Sequence, residues 1–249
     1  MTRIALAQIQ SKPGDVRWNV QHHLDFCELA KRHHAELICF PELSITNYEP
    51  GLASTYRMEL DDPGLEELRS FSHKNNLIIC IGAPRPTPAG LLISLYIFRP
   101  DGHHEVYSKQ QLHDDELPYF VPGNQEVIIN VEDHDILPAI CYESLQSSFM
   151  DSRMKPHINL ILASVSKPQR GIERAYPSYS NLAKKHGVPV LMVNGIGEAD
   201  NFMAAGQSGI WDASGECVAR LSNDQEQMLI FDSGSHTTTT LSIEARPSS

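Results

Sequence analysis

Short apolar runs alternate with helically periodic stretches along this chain, and that alternation leaves few folds open. RIALAQIQ (3–10) reads as a strand and Lys12-Pro13-Gly14-Asp15 as a turn. Over about 16–34, Val20, Leu24, Cys27 and Ala30 recur at steps of three and four, the spacing of one helix face. ELICF (36–40) is a second buried run, ended by Pro41. A helix over 64–75 and the strand LIICIGAP (77–84), closed by a Gly/Pro-rich turn, follow. LLISLYIF (91–98) and HEVYS (104–108), joined across Pro100-Asp101-Gly102, read as a hairpin.

The second half repeats the theme. EVIIN and ILPAICY are strands, and a helix starts near Ser144. The buried strand NLILASV (159–165) precedes a helix over 173–186, with Pro177 near its first turn. VPVLMVNGIG is a strand and turn, and SGIWDASGECVARL is a hairpin turning at Ala213-Ser214-Gly215. After Phe231 the pattern, including the threonines at 237–240, supports no assignment. With no linker-like stretch and no repeat, the expectation is one α/β domain over 1–249 with mixed sheets.

A chain of 249 residues can bury roughly 70–75% of its unfolded surface, so no disulfide or metal staple is needed. Its net charge of −11 disfavours partners that demand phosphate neutralisation, so neither nucleic acid nor anionic membrane is expected. The opening MTRIALAQIQ is too short for a secretory signal, and no apolar run nears the ~20 residues of a spanning helix. Five scattered cysteines without a CxxC pair suggest free thiols in a reducing, cytoplasmic setting.

Among those cysteines, Cys27 lies on a helix's apolar face, Cys39 and Cys80 sit inside buried runs, and Cys217 is in a hairpin strand. Cys141 differs, because it stands where ILPAI turns polar at Tyr142-Glu143-Ser144. A thiol of pKa near 8.5 is only a few per cent thiolate at pH 7, so a nucleophilic cysteine needs a base. The histidine pairs His22-His23, His33-His34 and His103-His104 fall on solvated-looking segments, and adjacent histidines cannot both face one metal, so no metal centre is expected. A carboxylate remains: Glu42 follows a buried strand and a proline. Lys109 ends HEVYS. Each residue taken alone also fits plain surface.

Taken together they carry more. FPELSITNY (40–48), YSKQQLHDDELPYFVPG (107–123) and ICYES (140–144) resemble, in order and local sequence, the nitrilase superfamily of carbon–nitrogen hydrolases, whose triad is Glu-Lys-Cys. The likeness begins with Gln8, Gly14-Asp15 and Asn19. It continues through Ala163-Ser164, Val193-Asn194 before Gly197, and Gly206 and Ser208 with Asp212 and Gly215, leaving out only the last ~18 residues. The resemblance implies a four-layer α-β-β-α sandwich with two mixed sheets, no cofactor, and assembly as a homodimer or higher homo-oligomer. It casts Glu42 as general base, Lys109 as catalytic lysine, Cys141 as nucleophile and Glu116 as a second glutamate beside them. The backbone N–H of Tyr142 would face the oxyanion.

Departures from the family pattern bear on the substrate. Asn47-Tyr48 stands where a Gly-Tyr pair is common, and Asn tolerates a left-handed turn. Pro138 in the strand before Cys141 suggests an edge position or a local irregularity. Ser144 to Phe149 bring no arginine to clamp a substrate carboxylate, which weakens the case for acidic ω-amides. Tyr48, Glu143, Ser164 and Ser166 are candidates to line a polar pocket. The expectation is a thiol hydrolase releasing ammonia from a small linear amide or N-carbamoyl compound. Alternatives are a nitrilase, an acyl-transferring member or a non-catalytic scaffold; a glutaminase module feeding a synthetase is disfavoured for want of a second domain in this sequence.

Overall fold

A computed structural model of the chain describes residues 2–243. The first half runs β1 (Arg3–Gln8), α1 (Val16–Arg32), β2 (Leu37–Cys39), α2 (Glu66–Asn75), β3 (Ile78–Thr87), β4 (Gly90–Phe98) and β5 (Glu105–Ser108). The second begins with β6 (Ile129–Val131), β7 (His134–Ile140), α3 (Ser147–Arg153), β8 (Leu160–Val165), α4 (Gln169–His186) and β9 (Val190–Asn194). It ends with β10 (Ile196–Ala199), β11 (Phe202–Ala205), β12 (Gly209–Trp211), β13 (Cys217–Arg220), β14 (Gln227–Asp232) and β15 (Thr237–Ser242).

These strands form two mixed sheets, in the orders β15-β14-β1-β2-β3-β4-β5 and β13-β12-β9-β8-β7-β6, with β10–β11 a separate hairpin. β1-β2-β3 and β7-β8-β9 are parallel, each triplet wound through two helices, and their flanks are antiparallel. Three cores separate four layers. Ile4 and Leu6 of β1 meet Leu160 and Leu162 of β8 between the sheets. Ala5 and Ala7 turn instead toward Phe26 and Leu68 under α1 and α2, while Ile161 and Ala163 face Met150 and Tyr179 under α3 and α4. Strands buried on both faces explain the unbroken apolar runs.

The structure corrects several expectations. β3 does not stop at a Gly/Pro turn but continues through Pro84 and Pro86 to Thr87, since β2 pairs only Ile78–Cys80 and leaves that side of β3 free of ladder bonds. Pro138 is on no edge: β7 lies between β6 and β8, yet β6 pairs only residues 134–136, so opposite Pro138 the ladder has already ended. α4 starts at Gln169, which puts Pro177 in mid-helix, where it offers no N–H to the Glu173 carbonyl. The polar first turn, QRGI, hid that start from periodicity. Near Ser144 there is first a 3₁₀ turn over Cys141–Leu145, and α3 follows at Ser147.

The β-branched threonines of the tail form β15, paired along β14 at the edge of the first sheet. His22 and His23 are buried rather than solvated. Among the described residues no helix is long and apolar enough to cross a membrane.

Candidate active site

Glu42 lies just past the carboxyl end of β2, where α/β sheets commonly assemble sites. Its loop rests on Gly82 of β3, and a Cβ there would fall 2.2 Å from the Leu43 nitrogen. The Gly82 N–H donates to Ser44 Oγ (3.3 Å), and its carbonyl accepts from the Ile45 N–H (3.0 Å). Behind the loop, His23 of α1 bridges the Asn19 carbonyl (2.6 Å) and Ser44 Oγ (2.9 Å). Burial pushes the His23 pKa down to about 3, so it holds this loop as a neutral imidazole. Asn47 takes a left-handed conformation (φ 63°), as its position in place of glycine requires.

Lys109 follows β5, with its backbone held by Ile93 (2.9 Å) and Gly123 (2.7 Å). Its buried Nζ donates to Glu42 Oε1 (2.8 Å) and Glu116 Oε1 (2.5 Å). Glu116 also accepts from the Tyr48 hydroxyl (2.9 Å) and the His113 N–H (2.8 Å). Burial alone would lower the Lys109 pKa, but Glu42, the Cys141 sulfur and Glu116 reverse this and hold it raised, so the ammonium stays charged. Burial pushes Glu42 up, Lys109 partly offsets this, and Glu116 adds to it. Tyr48 is raised by burial and then by Glu42 and Glu116, so it remains a donor.

Cys141 opens the 3₁₀ turn at the carboxyl end of β7 with φ at 48°, a strained conformation for a residue with a side chain. Its thiol donates to the Ser166 carbonyl at 3.7 Å. Lys167 Nζ lies 3.4 Å from the sulfur. Burial, then Glu42, pushes the thiol up to about 11, against the pull of Lys167 and Lys109. It is therefore protonated at neutral pH and needs a base. Glu42 Oε2 is buried and accepts no hydrogen bond among the described residues, and the carboxyl lies near enough to the thiol to raise its pKa by charge. Tyr142 is the second residue of the turn, so its N–H is among the leading donors that a helical turn leaves without an internal acceptor.

Thus Glu42, Lys109, Glu116 and Cys141 converge, with Tyr48 touching them through Glu116. Two pocket candidates are corrected. Glu143 has both oxygens committed within the protein: it accepts from Ile140 N (2.8 Å), Tyr107 Oη (2.5 Å), Gln110 N (2.7 Å) and Gln111 N (3.2 Å). It joins the strand before Cys141 to both sides of Lys109 and has no room for a substrate. Ser164 donates to the Phe40 carbonyl (2.8 Å), tying β8 to the strand before Glu42. Ser166 meets the sulfur through its carbonyl. Lys167 and His23 were not among the candidates. Lys167 stands two residues past β8, the same strand-end position that singled out the others, and His23 falls three residues after Val20 on the inward helix face.

Residues 3–240 match the carbon-nitrogen hydrolase family, which brings the first four residues of β15 inside the match as well. The chain is 25% identical over 237 residues to the glutamine-dependent NAD(+) synthetase of Acinetobacter baylyi, covering 91% of this chain and 43% of that one. It spans less than half the length of the curated relatives it matches. Among solved structures, XC1258 from Xanthomonas campestris, a CN-hydrolase superfamily protein with an arsenic adduct in its active site, superposes with a TM-score of 0.84 at 21% identity, over 97% of this chain and 90% of that one. A variant of the amidase from Nesterenkonia sp. AN1 in complex with butyramide gives 0.83 at 20%, over 92% and 89%. At these identities the structural likeness speaks for the four-layer fold. With the match running from β1 into β15, the chain belongs to the carbon–nitrogen hydrolase family, within the nitrilase superfamily.

Proposed function

We propose that this chain is a thiol amidohydrolase that cleaves the C–N bond of a small linear amide or N-carbamoyl compound and releases ammonia. The observation that carries this reading is the convergence of buried Glu42 and Lys109 with half-buried Cys141, drawn from three distant segments, on one cluster. Glu42 takes the thiol proton as the sulfur attacks the carbonyl carbon. The carbonyl π pair moves to oxygen, facing the third N–H of Lys109 and the N–H of Tyr142. Collapse expels the amine, which receives the proton from Glu42, and leaves a thioester on Cys141. Glu42 then draws a proton from water, the hydroxide adds to the thioester, and the thiolate leaves and is reprotonated. The raised pKa of Glu42 suits a group that must both accept and return a proton.

The test is an ammonia-release screen over linear amides, N-carbamoyl amines and nitriles. Release from an amide or N-carbamoyl compound, lost in Cys141→Ala, is expected. No release from any of them, or release from nitriles alone, overturns the reading. The curated relatives favour a second reading, in which glutamine is the amide and the chain acts as an ammonia-supplying unit. A kcat/KM for glutamine at least tenfold above that for butyramide selects it.

A further inference from the structure

Lys109 and Lys167 both reach the sulfur's surroundings, but their settings differ. Lys109 shares two of its three N–H groups between carboxylates. Lys167 is only 5% exposed, and the Cys141 sulfur is the one hydrogen-bond acceptor of its Nζ among the described residues. Its backbone is fixed on both sides: the Lys167 N–H donates to Asn194 Oδ1 (2.8 Å), and its carbonyl accepts from Asn194 Nδ2 (3.1 Å) and Ala205 N (2.9 Å). A buried ammonium kept only for packing finds a carboxylate or several carbonyls. This one is anchored at its root and aimed at a thiol.

We propose that Lys167 is a second catalytic lysine, whose ammonium ion-pairs with the Cys141 sulfur whenever that sulfur carries charge, while Lys109 serves the substrate oxygen. The proposal rests on the amidohydrolase reading. In that cycle the sulfur is negative twice. It is negative first when its proton has gone to Glu42 and the S–C bond has not yet formed. It is negative again when the S–C bond of the hydrated thioester breaks and the electron pair returns to sulfur. Between the two, in the thioester, sulfur is neutral. Lys167 thus lowers the barrier to both acylation and deacylation without accepting or losing a proton itself. The other groups facing the sulfur are Glu42 and Tyr48 after β2, Lys109 and Glu116 around the loop after β5, and Tyr179 of α4; the carboxylates oppose charge on sulfur and Lys109 favours it.

The experiment measures the rate of Cys141 alkylation by iodoacetamide against pH, with peptide mapping to separate it from exposed Cys217. Lys167→Met and Lys167→Gln should each move the midpoint up by about one pH unit and slow alkylation at pH 7 about tenfold, while Lys167→Arg keeps the wild-type profile. Gln retains a neutral donor, so it separates charge from mere space-filling and stands in where Met fails to fold. A folded neutral variant whose profile superimposes on wild type overturns the proposal. Because alkylation needs no substrate, the two readings fail separately. Ammonia release with an unmoved midpoint removes only Lys167 from the chemistry; a moved midpoint with no ammonia from any amide or N-carbamoyl compound removes the amidohydrolase reading and leaves the ion pair.

Discussion

The two halves of the molecule follow the same β-α-β-α-β path, yet they place unlike charges past their strands. The first half brings carboxylates and a cation that are already paired, with Lys109 lying between Glu42 and Glu116. The second brings a thiol on a strained turn and a cation, Lys167, whose Nζ among the described residues meets that thiol alone. The first half is therefore a preorganised charge cluster that can pass a proton. The second holds its charge capacity in reserve for a sulfur that is neutral at rest.

The sharpest way to break that division is Cys141→Ala. If the second half supplies the nucleophile, ammonia release falls to background while circular dichroism is unchanged. Turnover retained by the alanine protein would end the scheme. Next in size is a contrast of the two lysines in urea denaturation. Lys109→Met strips the cation from two buried carboxylates and should cost ~3–5 kcal/mol. Lys167→Met orphans no carboxylate and should cost less than ~1 kcal/mol. Equal losses would mean that the two cations are structurally alike.

The α/β class with mixed sheets was readable from local pattern, in unbroken apolar runs for strands buried on two faces, while the four layers and the Glu-Lys-Cys set came from the resemblance carried by three motif segments in order. What the sequence hid depends on neighbours far along the chain. Whether Pro84, Pro86 or Pro138 breaks a ladder is set by the lengths of β2 and β6, which no pattern around the proline reveals. Glu143 looked like a pocket residue because three of its four donors come from β5 and the loop after it, more than thirty residues earlier, and the fourth from the end of β7. Lys167 looked like any lysine after a strand, since the one acceptor of its Nζ among the described residues sits 26 residues away. His23 was recoverable, as its spacing from Val20 and Cys27 marks the inward face of α1; adjacency to His22 masked it.

The supports behind the two halves differ in the same sense as the lysines, and smaller effects test this. Glu143→Gln exchanges an oxygen that accepts hydrogen bonds for a donor facing donors, at a cost of ~2–3 kcal/mol and a lower melting temperature. His23→Gln, whose Oε1 can still accept from the Ser44 hydroxyl as the bare Nε2 does, should cost less at neutral pH. The two variants then separate by the sign of their pH dependence. His23 is held down to about 3 in the folded protein against 6.5 when free, so over that interval the unfolded state binds the extra proton and stability falls as pH falls, by up to ~1.4 kcal/mol per pH unit. Removing His23 flattens that acid slope. Burial holds Glu143 above the ordinary glutamate value, so above about 4.5 the folded state binds the extra proton, and its contribution to stability grows as pH falls. Removing Glu143 therefore steepens the acid loss that His23 causes. Melting temperatures across pH 4–8 read both changes at once: slopes that shift in opposite directions support a neutral brace under Glu42 and an ionisable one beside Cys141, and slopes that shift together would show the two halves braced alike.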